Sequence, residues 1–337
     1  MKVPAHLKPN ENDAVALDLS SLGKLRENFP LQRYTPIAIL GNNARATVIL
    51  ARDKQRGTKV AVKVFKRIKS AMQATFTSEV KKNQQLNHTS IAKVLDFEFQ
   101  NNKAPYLVTE YKDGFNVEQY LALHGVPSYD VAIKILIDIC ESIMYAQKQG
   151  VLHRDIRPAN VIFFDDLNSD PSVFLTDFAL PKVKADEEFT EVDDAINLTS
   201  DEARNMEYTE KSEVYAIGCI GYWLLTGRPP FRDGSVQEIK NAHALKLPPQ
   251  ISSIKFDNKR PKELEEIIER CLEKDPNVRF ESVAKLLERL EVFPRRVQMK
   301  KAAVLAAKNR AKLLRILIIA FAILALGIIA FLIFRPH

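Results

Sequence analysis

His153-Arg154-Asp155-Ile156-Arg157-Pro158-Ala159-Asn160 is the stretch on which the reading of this chain turns. It follows a long helical pattern, Ser128 to Gln149, and opens a loop-rich stretch running from Gly150 to about Glu210. Upstream, Val60-Ala61-Val62-Lys63 ends an apolar strand on a lysine, and Glu79 lies in a helical pattern from Ala71 to Leu86. Val108-Thr109-Glu110-Tyr111 closes another strand-like run. Downstream come Leu175-Thr176-Asp177-Phe178-Ala179, then KSEVYAIGCIGYWLLTGRPPF (211–231) and CLEKDPNVRF (271–280). Each piece alone is weak. A strand lysine is usually a solvated edge residue, and apolar strand residues are usually core. The signal is their order.

From Tyr34 the chain reads as short β-branched runs, YTPIAIL, TVILARD and TKVAVKVF, with turn residues between them. KVLDFEF and PYLVTEY continue the strand pattern. Helical periodicity follows at 128–149 and around 213–225, 236–244, 261–273 and 281–292. A small β-rich part ahead of a larger helical part predicts an α+β fold of two lobes. Cys140, Cys219 and Cys271 stand far apart in apolar stretches without C-x-x-C spacing, so reduced core thiols are expected and a metal or disulfide framework is not.

In order and spacing these segments resemble the protein kinase family, bacterial-type serine/threonine kinases in particular, over roughly Tyr34 to Phe293. The resemblance implies ATP and Mg²⁺ (or Mn²⁺) as cofactors. Lys63 would hold the α/β-phosphates and Glu79 would orient Lys63 through an ion pair. Asp177 and Asn160 would bind the metal ions, Asp155 would accept the substrate hydroxyl proton, and Arg157 would face the γ-phosphate where the family usually carries lysine. Gly41 belongs to the phosphate loop. Val48, Ala61 and Ile162 match the apolar positions around adenine, with Thr109 as gatekeeper and Glu110-Tyr111 as hinge.

The pattern breaks in places. The phosphate loop reads Gly41-Asn42-Asn43-Ala44-Arg45-Ala46-Thr47-Val48, with Asn43 and Ala46 replacing glycines. Asparagine tolerates positive φ better than alanine, so weakened ATP binding is expected. Ala179 replaces the glycine after Asp177-Phe178. Thr199-Ser200-Asp201 stands where the family carries A-P-E, with Asp201 on a shorter arm toward Arg279, and Asp194 replaces the substrate-positioning threonine. The segment between is rich in carboxylates (Glu187, Glu188, Asp193, Asp194), with Thr190 its main hydroxyl. One of those carboxylates in place of a phosphate on Arg154 is the hypothesis they raise, set beside an ordinary solvated acidic loop. Glu213 replaces an aspartate that supports the catalytic loop, and Asn83, one turn after Glu79, replaces an apolar residue.

The net charge of +7 is local. Eight basic residues and no acidic one lie between Arg295 and Arg315, and Arg335 adds one more; without these nine, 40 Lys and Arg face 42 Asp and Glu. A nucleic-acid surface is therefore not expected. Ile316 to Phe334 is 19 residues without a charge, about 29 Å as helix and long enough to span a bilayer. The organisation expected is an N-terminal extension (1–33), a kinase-like domain (34–293), a basic juxtamembrane helix (294–315), a transmembrane helix (316–334) and a short far-side tail (335–337). The basic flank puts the domain on the cytoplasmic side, with a bacterial plasma membrane preferred.

The function expected is a membrane-anchored serine/threonine kinase acting on a protein substrate. The alternative is a membrane-tethered pseudokinase serving as a nucleotide-binding or interaction scaffold. Pairing with a second copy, as a dimer, is left open.

Overall fold

Alternation decides the first lobe. In the computed structural model, which describes residues 29–43, 46–65, 73–98, 105–166, 170–178, 192–253 and 261–293, the strands are β1 (Tyr34–Asn42), β2 (Ala46–Asp53), β3 (Lys59–Phe65), β4 (Val94–Glu98) and β5 (Tyr106–Glu110). They pair antiparallel in the order β1-β2-β3-β5-β4. Along β3, Val60, Val62 and Val64 are buried while Ala61 and Lys63 are half-buried. The period of two puts the three valines on one face, packed with Tyr34, Ile49, Ala51, Tyr106 and Val108. Ala61 and Lys63 share the other face, and Val48 stands opposite Lys63 in the β2–β3 register.

Phe29 is buried in the same valine cluster, and Arg33 bridges Asp96 at 2.9 Å and Asp53 at 3.3 Å. Packing thus begins five residues ahead of Tyr34, within what reads as a polar extension. Helix α1 (Gln73–Asn83) buries Phe76 and Val80 against Phe65, Ala46 and Leu107. It stops at Asn83 because residues 84–86 close as a turn, with Leu86 N donating to the Asn83 carbonyl. Ala71 and Met72 lie outside the described residues.

Helices build the second lobe: α2 (Val117–His124), α3 (Tyr129–Lys148), α4 (Val192–Ile196), α5 (Ser200–Ala203), α6 (Glu210–Thr226), α7 (Val236–Leu245) and α8 (Lys262–Cys271), with a further helix at 283–293. Helix α6 is buried on nearly every side, so its sequence is apolar all round. Gly218 permits its closest approach, since a Cβ there would lie 2.5 Å from that of Cys271 in α8. Helix α8 buries only Leu264, Ile267, Ile268 and Cys271, one face at helical spacing. Cys140 and Cys271 are buried, Cys219 is half-buried, and all three are free thiols.

The stretch expected to be loop-rich contains two strands, β7 (Val161–Asp166) and β8 (Asp170–Leu175), which join β6 (Phe115–Asn116) in a second sheet of order β6-β7-β8. Its short apolar runs pair in a hairpin that the surrounding polar residues obscure. Gly114, just ahead of β6, is required by packing: a Cβ there would collide with the Phe163 carbonyl and Ile162. Helix α2, also not read from the sequence, starts with a capping box between Asn116 and Gln119. An isolated bridge between Ile91 and Leu175 ties the segment after α1 to the end of β8.

Two compact units emerge, Met1–Leu290 and Glu291–His337; of the second only residues 291–293 are described, as helix. The basic segment and the apolar stretch Ile316–Phe334 lie outside the described residues. Among the described residues no helix is long and apolar enough to cross a membrane.

Candidate active site

The site grows from the ends of β3, β7 and β8. Lys63 leaves β3 and its Nζ lies 2.8 Å from Asp177 Oδ2, two residues past β8. Asp177 takes φ 61, a left-handed conformation that a non-glycine residue adopts at a cost of about 1–3 kcal/mol. The Ser90–Leu175 and Ala92–Leu175 backbone bonds, both 2.8 Å, anchor the strand end that enforces it.

The catalytic-loop residues converge from the other side. Asn160 is 5 % exposed, and its Nδ2 donates to the Asp155 carbonyl at 2.8 Å and to Asp155 Oδ2 at 2.9 Å. Thr176 N donates to the Asn160 carbonyl at 3.0 Å, which joins this loop to the residue before Asp177. The His153 ring packs on Phe178 with centroids 4.2 Å apart. Asp155 and Asn160 on one loop, Asp177 after β8 and Lys63 on β3 are thus gathered from three segments far apart in sequence.

Glu79 is not in that group. Its Oε1 takes Lys82 Nζ at 3.1 Å, one turn along α1, so the expected Lys63–Glu79 ion pair is replaced by Lys63–Asp177. The physical reason is proximity: left-handed Asp177 offers Lys63 a carboxylate, while Lys82 satisfies Glu79 within its own helix. Asn83 also binds the Asp177 segment, donating its Nδ2 to the Phe178 carbonyl; its Oδ1 is buried without a hydrogen-bond partner among the described residues. The apolar residue expected there is replaced by a polar tether.

Arg157 is mostly buried and pairs with Asp194 at 3.4 Å and Asp193 at 3.9 Å. Burial opposes its charge, but Asp155, Asp194 and Asp193 outweigh it and raise its pKa above the usual arginine value. Among the described residues Asp193 and Asp194 therefore neutralise Arg157; Glu187 and Glu188, the other carboxylates considered for Arg154, lie outside them. Glu118 of α2 faces the same group: burial and Asp193 raise its pKa, and Arg157 and Arg232 oppose them.

The phosphate-loop hairpin closes through Asn43, whose Oδ1 accepts from Ala46 N at 2.9 Å. Asn43 does not use positive φ; its side chain makes the turn. Ala46 is buried with Phe65 and Phe76, which accounts for a residue larger than glycine there. Gly41 pairs with Val48, and a Cβ on Gly41 would meet nothing within 4 Å. Glu110 ends β5 with its amide bonded to the Lys93 carbonyl at 3.0 Å. Tyr111 follows, half-buried, its pKa raised by burial and by Asp113. Ile162 lies half-buried in β7. Ala179, Glu187, Glu188 and Thr190 lie outside the described residues.

The donor set fits a hard divalent cation. Asp177 is partly exposed and supplies carboxylate oxygens, and Asn160, its NH₂ spent on Asp155, keeps its amide oxygen. No cluster of three or more His, Cys, Asp or Glu suited to a metal exists among the described residues, so other ligands would come from phosphate and water, as suits Mg²⁺.

The protein kinase domain family matches residues 34–289. The chain belongs to the protein kinase family. It is similar to the serine/threonine-protein kinase PknB of Mycolicibacterium smegmatis, 30% identical over 267 residues, covering 75% of this chain and 42% of that protein. The same protein of Mycobacterium leprae is 30% identical over 270 residues, again 75% of this chain and 42% of the relative. The chain thus spans well under half the length of these relatives. Among solved structures, the Mycobacterium tuberculosis PknI kinase domain superposes with a TM-score of 0.59 at 22% identity, covering 77% of this chain and 95% of that one. That likeness carries the two-lobed fold alone.

Gln147 escaped the sequence reading. It sits in the last turn of α3, and only the structure shows that it meets Glu213 of α6.

Proposed function

We propose that this chain is a serine/threonine protein kinase that moves the γ-phosphate of ATP to protein hydroxyls. The observation that carries the reading is the meeting of two pairs, Lys63 with Asp177 at 2.8 Å and Asn160 with Asp155 at 2.9 Å, in a chain of the protein kinase family. When bound, MgATP (or MnATP) supplies the phosphoryl group and the charge that neutralises its oxygens. Asp177 and Asn160 would hold the metal. Lys63, released from Asp177, would pair with the α/β-phosphates. Asp155, oriented by Asn160, would accept the hydroxyl proton. Arg157 would face the γ-phosphate, with Glu79 returning to Lys63 as α1 shifts. Val48, Ala61 and Ile162 would enclose adenine, Glu110 and Tyr111 would present its hinge, and Gly41 would lie over the phosphates.

Serine/threonine specificity is supported by the Asp155-Ile156-Arg157-Pro158 pattern and by the relatives, which are serine/threonine-protein kinases by name. The full chain incubated with radiolabelled ATP and Mg²⁺, then acid-hydrolysed, should yield phosphoserine or phosphothreonine. Label only in phosphotyrosine would overturn the specificity, and absence of label would overturn the activity.

A second reading, a pseudokinase scaffold, is favoured by one observation: both cations that would meet phosphate are occupied by the site's own carboxylates, Lys63 by Asp177 and Arg157 by Asp193 and Asp194. Nucleotide binding without transfer would select it.

The uncharged run Ile316–Phe334 and its basic flank support a single-pass membrane anchor with the kinase domain cytoplasmic, in a bacterial plasma membrane. The chain should resist alkaline extraction from membranes, and truncation after residue 315 should release it; release of the full chain would sink the idea.

A further inference from the structure

Glu213 is fully buried in α6, yet its carboxylate accepts three hydrogen bonds. Oε1 takes the backbone amides of His153 at 2.5 Å and Arg154 at 3.4 Å; Oε2 takes Gln147 Nε2 at 2.6 Å. The first two bonds fasten the loop where Arg154 is held at φ 66, a left-handed conformation unfavourable to arginine. The next residue is Asp155. The third bond comes from α3, so one carboxylate joins two core helices to the catalytic loop. Among the three donors, only the one on Gln147 belongs to a side chain.

We propose that Gln147 is a positioning residue for phosphoryl transfer, holding the Glu213 carboxylate ionised and turned so that it fixes the His153–Arg154 backbone and, through it, Asp155. The proposal rests on the kinase reading. A neutral carboxyl is a weaker acceptor and turns one oxygen into a donor, which loosens the strap.

The electrostatics agree with the geometry. Burial raises the Glu213 pKa to about 7, and the charge of Glu210, one turn earlier in α6, adds to the rise; the bonds from Gln147, His153 and Arg154 act against it. The other ionisable neighbours are Tyr208, ahead of α6, whose buried hydroxyl is itself raised by burial and by Glu213, and Arg154 on the catalytic loop. Glu213 therefore changes charge near neutral pH, and the donor on Gln147 biases which form prevails.

The test uses the full chain in mild detergent. It compares native protein with Gln147→Leu, which removes the donor, and Gln147→Lys, which supplies a charged one at a half-exposed position. Three quantities are followed against pH: kcat, KM for ATP, and the ¹³C shift of the Glu213 carboxyl, identified by its loss in Glu213→Gln. The acidic limb of kcat and the carboxyl midpoint should coincide. Gln147→Leu should move both upward by about one pH unit, with kcat at pH 7 falling about fivefold and KM for ATP unchanged. Gln147→Lys should move both downward. Unmoved midpoints in folded variants would overturn the proposal. If Gln147→Leu does not fold, Gln147→Lys decides alone. If the native chain transfers no phosphate at any pH, the kinase reading fails, and the carboxyl midpoint still decides whether Gln147 controls Glu213.

Discussion

The molecule uses carboxylate–cation pairs in two contrasting ways. In α5, Asp201 meets Arg279 at 2.7 Å with both side chains sealed from water. The remaining guanidinium hydrogens go to Ser200 Oγ and to the carbonyls of Lys211, Glu273 and Lys274. In the cleft, Lys63 and Asp177 meet at 2.8 Å but each keeps about a fifth of its side chain exposed. The first pair has no unused capacity, so it can only hold the fold. The second keeps open positions for phosphate, metal and water. The same chemistry is structural where every donor is spent and functional where some are left.

Breaking each pair should separate the two roles. The largest stability effect is expected for Asp201→Ala, which strands a buried guanidinium and should cost about 3–5 kcal/mol in denaturant unfolding. A loss below about 1 kcal/mol would show that the buried network is not the clamp described. Lys63→Met should act the other way: unfolding free energy within about 1 kcal/mol of native, because the pair is partly exposed, but phosphate transfer down by about 10²-fold or more. Equal loss of stability and activity would erase the distinction.

Glu213 sharpens the contrast through pH. Its folded pKa, about 7, is raised above its unfolded value of 4.5, so its contribution to stability is full below pH 4.5 and is lost as pH rises through 7. Chemical unfolding of the native chain should therefore weaken over that window, and Glu213→Gln should flatten this part of the profile. An unchanged slope in Glu213→Gln would remove Glu213 as the cause. The smallest effect is expected at Lys285 and Glu288, a solvent-exposed pair at 2.8 Å. Lys285→Ala should leave the melting temperature unchanged within error.

What was legible in the sequence follows from the range of the forces involved. The β3 alternation, the α8 stripe and the order of Lys63, Asp155, Asn160 and Asp177 are local or spacing signals, and the two-lobed fold could be read from them. The β7–β8 hairpin was hidden because its apolar runs, Val161–Phe164 and Val173–Leu175, are brief and sit among polar loop residues. The partner of Lys63 could not be read, because the choice between Glu79 and Asp177 depends on the φ of Asp177 and on Lys82 satisfying Glu79 within α1. The pairing of Asp194 with Arg157 depends likewise on where α4 docks. Asp201 and Arg279 could be matched because the family's pairing survives the shorter arm. Gln147 gave no signal, since a glutamine in the last turn of a helix is ordinary until its neighbour is known.

The most direct measurement is single-turnover phosphate transfer from radiolabelled ATP with Mg²⁺, by the full native chain and by Asp155→Asn, in preparations shown to bind nucleotide equally. Asn160 keeps its backbone bond to residue 155 in the variant, so the change removes the proton acceptor and little else. The account predicts transfer by the native chain and a loss of about 10²–10⁴-fold in the variant. Equal transfer by both, or none by a nucleotide-bound native chain, would contradict it.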